Sequence, residues 1–237
     1  MKPARGRLLA GARVSIREMV ESDAPLIVEW RNRPETQRWV YQWAPLTHEG
    51  QLAWFRAARQ RGDLLFIFET LAGEPIATAA VYDFERRLGN AAQWGRLCRA
   101  RIGAGPQSLV EGCYLVHRIC FEVLGLRRLS VAVVSENLVS LRLNRMLGYV
   151  EEGVQRKHWR HPSGVLEDVV LLGLFPEEFA TQRPVIEKLL YRKEASAFDP
   201  SRWNRFGKPS RGGDGSLPRP PHTAGPFTPE TSSRAPR

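Results

Sequence analysis

The stretch from residue 102 to 153 limits the possible folds more than any other part of the chain. Its spacing predicts a loop, a helix, a strand, a helix and a strand in succession, and the loop contains Gly103 and Gly105. Apolar side chains then recur at steps of four and three residues, which predicts a helix over 109–124. The first N–H groups of a helix have no partner within it and carry the positive end of its dipole. The loop is therefore a candidate phosphate site.

The second half of this stretch continues the alternation of strand and helix. Residues 129–133 alternate as in a strand, and Ser135 is a candidate N-cap for a helix that Gly148 ends. Another strand begins at Tyr149. An ordinary α/β unit without a ligand has the same pattern, because glycine loops before helices are common, so spacing alone leaves the phosphate site open.

The same rules of periodicity and capping predict further elements before this stretch. In chain order they are a strand at 14–17, a helix from Asp23 to before Pro34, a helix capped by Thr47, a hairpin of strands 64–69 and 75–84, and a long strand at 90–102. Gly95 within the long strand indicates a bulge, a close ligand approach or plain packing.

This order of elements, together with several short motifs, resembles the GNAT N-acetyltransferases. The matching residues are Trp30-Arg31-Asn32, Leu124-Gly125-Leu126, Asn137, Leu147-Gly148-Tyr149 and Glu152-Gly153, and the resemblance covers roughly residues 13 to 190. It implies an α/β (α+β) GNAT fold with a mixed, mostly antiparallel, twisted sheet of six to seven strands that splays at its centre, flanked by about four helices. The domain would occupy 13–192, after a flexible leader at 1–12.

The resemblance implies an acetyl-CoA-dependent N-acetyltransferase that needs no metal. The acceptor would be a primary amine of a small molecule (an amino sugar, a nucleotide-linked amino sugar or a polyamine) or a protein N-terminus, which attacks the thioester directly. Formation of a homodimer is left open. The alternative is a catalytically impaired GNAT-like protein that binds CoA or a partner.

The resemblance also assigns the coenzyme site residue by residue. The backbone of Leu97, Cys98 and Arg99 would bond the pantetheine amides as an added strand would. The diphosphate and the rest of the coenzyme would be bound by Gly103, Gly105, Gln107, Ser108, Leu109, Val110, Asn137 and Asn144.

The sequence departs from the family pattern in three features, at four positions. Gln107 and Leu109 stand where the usual loop has glycines, Asn144 replaces the usual acid tyrosine, and Gln93 replaces the usual base glutamate. Asn144 can donate a hydrogen bond to the sulfur but cannot supply a proton of useful pKa. We take Asn144 and Asp83 as the catalytic candidates. Other candidate bases, each with a plain structural interpretation, are Glu85, Asp168 and His158.

Aromatic residues are the candidates for acceptor binding. Trp39, Tyr41 and Trp43 form a cluster without clear periodicity, and Trp94 lies in the long strand. Such rings can stack on a sugar, a base or an amine. A local hydrophobic cluster that closes the sheet is the alternative interpretation.

Composition bears mainly on the C-terminal tail and on the compartment. The net charge is +10, of which residues 192–237 contribute nine Lys and Arg against four acidic residues. The same segment is rich in proline, so 193–237 is predicted to be a disordered basic tail. A nucleic-acid-binding arm is the alternative, because Trp203 and Phe206 lie among arginines, but nucleic acid is not the expected partner. Three cysteines without zinc spacing, and no apolar run long enough for a membrane span, predict a cytoplasmic protein with no metal and no membrane partner.

Overall fold

The computed structural model describes residues 7–40, 44–85, 90–100, 105–161 and 163–191. Its strands are β1 (Arg7–Ala10), β2 (Val14–Glu18), β3 (Leu64–Thr70), β4 (Pro75–Glu85), β5 (Ala91–Arg99), β6 (Arg128–Val134), β7 (Val150–Arg160) and β8 (Leu166–Leu174). Its helices are α1 (Ala24–Arg31), α2 (Pro34–Gln37), α3 (His48–Arg61), α4 (Pro106–Arg118), α5 (Leu138–Leu147) and α6 (Pro176–Tyr191). All of these helices are too short or too polar to cross a bilayer, within the described residues.

The strands form one sheet in the order β1-β2-β3-β4-β5-β6-β8-β7. Each neighbouring pair is antiparallel except β5 and β6, which are parallel and are joined through α4. The predicted mixed, mostly antiparallel sheet is confirmed. The strand count is eight rather than six to seven, and six helices are described where about four were expected.

The additional strand, β1, lies in the segment predicted to be a flexible leader. Leu9 pairs with Ile16 of β2, and both Leu8 and Leu9 are buried. The prediction for residues 7–10 was therefore wrong, because a short apolar run gains both ladder hydrogen bonds and burial at a sheet edge. Residues 1–6 and the predicted tail at 193–237 lie outside the described residues.

One face of the sheet is covered by α4 and α6 and holds the largest core, which includes Phe66, Trp94, Leu115 and Leu172. Helix α4 comes very close to the sheet, since a Cβ added at Gly112 would lie 2.4 Å from the Phe68 ring. The other face carries a smaller core, with Ile27 of α1 and Phe55 of α3 packed on β3.

The helix boundaries differ from the predictions in two places. Helix α4 begins at Pro106, three residues before the predicted start, and a π-helical turn over Ile119–Val123 continues it. The cap of α5 is Asn137, whose side-chain oxygen accepts a hydrogen bond of 3.1 Å from the Ser140 N–H, so the prediction of Ser135 was wrong. Ser135 instead donates its N–H to the Asp168 carbonyl oxygen, which fixes the turn before the helix.

Candidate functional site

The parting of β5 and β6 is the main feature of the sheet. The two strands pair only at Ala91 with Arg128, Ala92 with Leu129 and Gln93 with Ser130. Beyond that point, 94–99 pairs only with β4 and 131–134 only with β8, among the described strands. A wedge-shaped gap therefore opens toward the carboxyl ends of both strands, with unpaired backbone groups along its two sides. The predicted central splay is confirmed.

A bulge in β5 lies at the rim of this gap. Ala80 of β4 pairs with Gly95, whereas Thr78 pairs with Cys98, so β5 carries one extra residue between these pairs. Arg96 lies within this bulge and has a φ of 52°, a left-handed conformation that is uncommon outside glycine. The bulge interpretation of Gly95 is confirmed. Bulges of this kind re-aim side chains next to binding sites.

The start of α4 lies at the carboxyl end of β5. Gly105 is the N-cap, no side chain caps the helix, and the residue at the first helical position is Pro106, which has no N–H to leave unpaired. Gly105, Pro106 and Gln107 are exposed, while Ser108, Leu109 and Val110 are half-buried. The helix mouth is thus open at 105–107, and Leu109 and Val110 pack against the main core. Gly103 lies outside the described residues.

The three predicted pantetheine contacts lie beyond the bulge. Cys98 pairs with Thr78 and Arg99 with Ala77, which leaves the other side of this segment facing the gap. The side chain of Leu97 packs against the main core, and Cys98 is buried with its Sγ 4.0 Å from Thr36 Oγ1. Burial raises the pKa of the Cys98 thiol. The side chains of Leu97 and Cys98 serve packing and that of Arg99 is exposed, so the backbone is the part that all three offer to a ligand.

Asn144 offers a buried acceptor in addition to the N–H groups on which the prediction depends. Its side-chain N–H donates to the Ser140 carbonyl oxygen at 2.8 Å, and because that oxygen can only accept, the orientation of the amide is fixed. Asn144 Oδ1 is buried and has no hydrogen-bond partner among the described residues. The group of Asn144 without a partner is thus an acceptor, and a hydrogen bond from its second N–H to the sulfur stays a prediction.

The candidate bases are not gathered at the gap. Asp83 is exposed, has a φ of 52°, and lies at the end of β4 that is beside the paired part of β5 and β6. Asp168 accepts the Lys157 N–H at 2.7 Å, which agrees with its structural interpretation. His158 lies on the exposed strand β7, and Glu85 is exposed at the end of β4.

Trp94 cannot contact an acceptor, which corrects its assignment as a substrate-binding residue. It is 2% exposed, and its ring centroid lies 4.7 Å from that of His117 of α4. Strand alternation places Trp94 on the face of the sheet that α4 and α6 cover, which we call the closed face, one residue before the bulge. The neighbouring His117 donates from Nδ1 to the Cys113 carbonyl, so its Nε2 accepts from the Tyr149 hydroxyl.

Trp39 lies on the opposite face, next to the end of β6. It is half-buried against Val134, Trp159 and Val169, and the Arg38 guanidinium lies 4.5 Å from its ring centroid. This packing agrees with the interpretation of a local hydrophobic cluster, and contact between Trp39 and an acceptor stays a prediction. Tyr41 and Trp43 lie outside the described residues.

The described residues line a cleft beside α2 and a smaller cavity between α1, α3 and the sheet. The larger is a cleft of about 490 Å³ lined by Pro34, Gln37, Arg38, His161, Ser163, Val165 and Glu167. The smaller is a cavity of about 20 Å³ beside the β5 bulge, and its polar lining is Arg31, Gln51, Thr78 and Arg96. Sequence reasoning missed all the polar residues of the smaller cavity as site residues. The only signal was that Arg31 belongs to a family-like motif.

A family model described as an acetyltransferase (GNAT) domain matches residues 13–150. A structure from T. thermophilus, assigned as an acetyltransferase, is 26% identical with a TM-score of 0.64, over 79% of this chain and 99% of that one. The ribosomal-protein-S5-alanine acetyltransferase from Vibrio fischeri is 20% identical with a TM-score of 0.61, over 72% and 97%. The spermidine N-acetyltransferase from Vibrio cholerae, in complex with CoA and spermine, is 15% identical with a TM-score of 0.65, over 72% and 99%. No curated protein sequence matches the chain.

Proposed function

Because the chain belongs to the GNAT acetyltransferases, we propose that it transfers an acetyl group from acetyl-CoA to a primary amine by direct attack on the thioester. The acceptor class proposed is a small-molecule amine, such as an amino sugar, a nucleotide-linked amino sugar or a polyamine, or a protein N-terminus. The observation that carries the proposal is the gap between β5 and β6, which opens after three paired residues.

The described residues fit the coenzyme. Its pantetheine arm is a chain with two amides, and the unpaired side of 97–99 offers backbone groups in the extended geometry that such an arm can extend as a further strand. Its diphosphate is an anion, and the exposed mouth of α4 offers the N–H groups of Gly105 and Gln107 at the positive end of a helix, since Pro106 has no N–H and the Ser108 N–H donates to the Gly105 carbonyl oxygen. Gly105 leaves this approach open, since a Cβ added there would meet no atom within 4 Å.

The thioester supplies an acyl group that is already activated, so this chain needs to position the amine and stabilise charge. Backbone N–H groups along the unpaired side of 94–99 are the donors available to the oxyanion that develops on the carbonyl oxygen. Positioning alone supplies about 7–11 kcal/mol in well-oriented reactions, so the reaction does not depend on a strong acid or base in the gap.

The family's base and acid are both replaced in this chain, so the proton transfers need another explanation. Gln93 cannot act as a base, and Asn144 cannot supply a proton to the leaving thiolate. The buried acceptor Asn144 Oδ1 is suited to a hydrogen bond from a coenzyme N–H or from the thiol once it is formed. The amine must therefore enter the gap neutral or lose its proton to water.

The test is release of free thiol from acetyl-CoA with a panel of primary amines, together with the Kd for CoA by calorimetry. We expect CoA binding and turnover with at least one class of amine. The replacements at Gln93 and Asn144 favour the second candidate function, an impaired CoA-binding protein. Binding of CoA without turnover for every class would support that second function, and absence of CoA binding would contradict both.

A further inference from the structure

The small cavity beside the β5 bulge is lined by apolar residues and by four polar side chains that the proposed function does not use. It lies between α1, α3 and β4, next to Arg96 at the rim of the gap. Its volume of about 20 Å³ is close to that of one water molecule, so it accommodates one oxygen-sized group. A cavity of this size at a reactive gap can receive part of an acceptor.

Two of the lining side chains have buried N–H groups without partners. Arg31 Nε and Gln51 Nε2 are buried and make no hydrogen bond to any of the described residues, and Gln51 is only 2% exposed. Leaving a buried donor unsatisfied costs about 1–3 kcal/mol, and more for a charged group. Two such donors on one cavity indicate that an oxygen acceptor belongs there.

Arg96 adds a second guanidinium at the same place. Its left-handed conformation at the bulge brings the charge over Tyr82, at 4.4 Å from the ring centroid, and over Trp54, at 5.2 Å. Cation–π contacts hold the side chain in place while leaving its N–H donors available. Backbone strain in a non-glycine residue is often found at binding sites.

The charge of this pair is not neutralised by the surrounding protein. Elsewhere on the same face, the Arg17 guanidinium contacts Asp23 and Glu69, and Arg33 contacts Glu29. By contrast, neither Arg31 nor Arg96 has an ion pair within the described part of the chain. Burial lowers the pKa of Arg31; Cys98 acts against this, and the nearby Arg96 lowers the pKa further.

We infer that Arg31, Gln51 and Arg96 bind an anionic oxygen carried by the acceptor, so that the preferred substrate is a primary amine that also bears a carboxylate or a phosphate. This inference rests on the proposed function and narrows its acceptor class. Two unneutralised guanidinium groups attract such an anion through charge-assisted hydrogen bonds and repel a polyamine.

The same two cations have a consequence for the reacting nitrogen. A positive charge nearby disfavours a protonated amine, so it lowers the pKa of the acceptor's ammonium group. The amine can then lose its proton to water at neutral pH, attack the carbonyl carbon and expel the thiolate, which takes up a proton. No carboxylate base is needed at the position of Gln93.

The experiment compares matched acceptors that differ only in the anion. One pair is glucosamine 1-phosphate with glucosamine, the other is alanine with alanine amide, and spermidine is a polycationic reference. Calorimetry on the CoA-loaded protein measures Kd for each, and thiol release measures kcat and KM. We expect the anionic member of at least one pair to bind about 10–100-fold more tightly, as one charge-assisted hydrogen bond allows. The phosphate and carboxylate pairs distinguish the two sources of anion.

The variant is Arg31→Met, with Arg59→Met on the exposed side of α3 as the matched control. Loss of the preference in Arg31→Met, with Kd for the neutral member and for CoA unchanged, supports the inference. Arg96→Met is the second variant and should weaken the same preference. Equal affinity of the wild type for both members of both pairs would overturn the inference even if CoA binds and amines turn over. Failure of CoA to bind would instead contradict the proposed function.

Discussion

At the scale of single residues, His117 shows that the core on the closed face of the sheet excludes solvent. Both ring nitrogens have partners, with Nδ1 2.8 Å from the Cys113 carbonyl and Nε2 3.0 Å from the Tyr149 hydroxyl. The side chain is fully buried, and this burial lowers its pKa from 6.5 to about 4. A histidine that stays neutral in the folded protein serves packing and cannot act as the missing base.

This burial predicts a loss of stability at acidic pH. The folded pKa lies below the unfolded value, so the unfolded chain binds the proton first, and stability falls as the pH drops from about 6.5 toward 4. Between pH 7 and 5 the expected loss from this residue is about 2 kcal/mol. Chemical denaturation at both pH values should show a smaller loss in His117→Gln than in the wild type. Equal losses in the two proteins, or a His117 imidazole NMR signal that titrates near pH 6.5, would contradict this prediction.

At the scale of elements, the site is made by where elements end rather than by the side chains on them. Strand β5 leaves its neighbour after Gln93, and α4 begins at Pro106 with no side-chain cap. Both features expose backbone groups, so the proposed coenzyme site does not require the usual loop glycines at Gln107 and Leu109. Only the approach to these groups must stay clear.

Gly105→Val tests this approach. The φ of −63° at Gly105 suits any residue, and an added Cβ meets no atom within 4 Å, so the substitution should leave the fold intact. It should raise the Kd for CoA about 10-fold or more by crowding the diphosphate, since a lost charge-assisted hydrogen bond costs about 1.5–3 kcal/mol. Gly153→Val on exposed β7 is the control, because it too has free space around it. An unchanged Kd, measured by calorimetry, would mean that the diphosphate lies elsewhere.

The sequence predicted elements much better than it predicted sites. Periodicity and capping placed α3 after Thr47, whose hydroxyl accepts the Gly50 N–H, and the resemblance supplied the splay. The sequence could not show that Trp94 is buried, because strand alternation tells which residues share a face of the sheet but not which face the helices cover. Nor could it assemble the small cavity, since Arg31, Gln51 and Arg96 come from separate elements and meet only through the bulge.

At the scale of the whole molecule, the N-terminal segment is tied to the helix that begins at the gap. Glu111 of α4 is fully buried and accepts N–H groups from Ala12 at 2.7 Å and Arg13 at 2.8 Å. A Cβ added at Gly11 would lie 2.5 Å from the Glu111 carboxylate, so the segment passes over it at close range. The connection between β1 and β2 and helix α4 are thus held together through one carboxylate.

Truncation tests whether the domain really begins at residue 13. A chain of 13–192 lacks β1 and the Ala12 N–H, and loss of one partner of a buried carboxylate costs about 1–3 kcal/mol in addition to the lost burial of Leu8 and Leu9. We expect a clearly lower Tm for 13–192 than for 7–192 in thermal unfolding. The chain 7–192 should match the full-length protein in Tm and in Kd for CoA. Equal Tm values for the two truncated chains would restore the boundary at 13.

The short seam between β5 and β6 also bears on the cohesion of the molecule. Five of the described strands lie on one side of it and three on the other, and only three residue pairs of these strands join the two panels edge to edge. A pantetheine arm bound in the gap would form hydrogen bonds with backbone groups of β5 and β6 that the polypeptide leaves unpaired. The bound coenzyme would then connect the two panels, and the sheet would be most stable while an acetyl donor is bound.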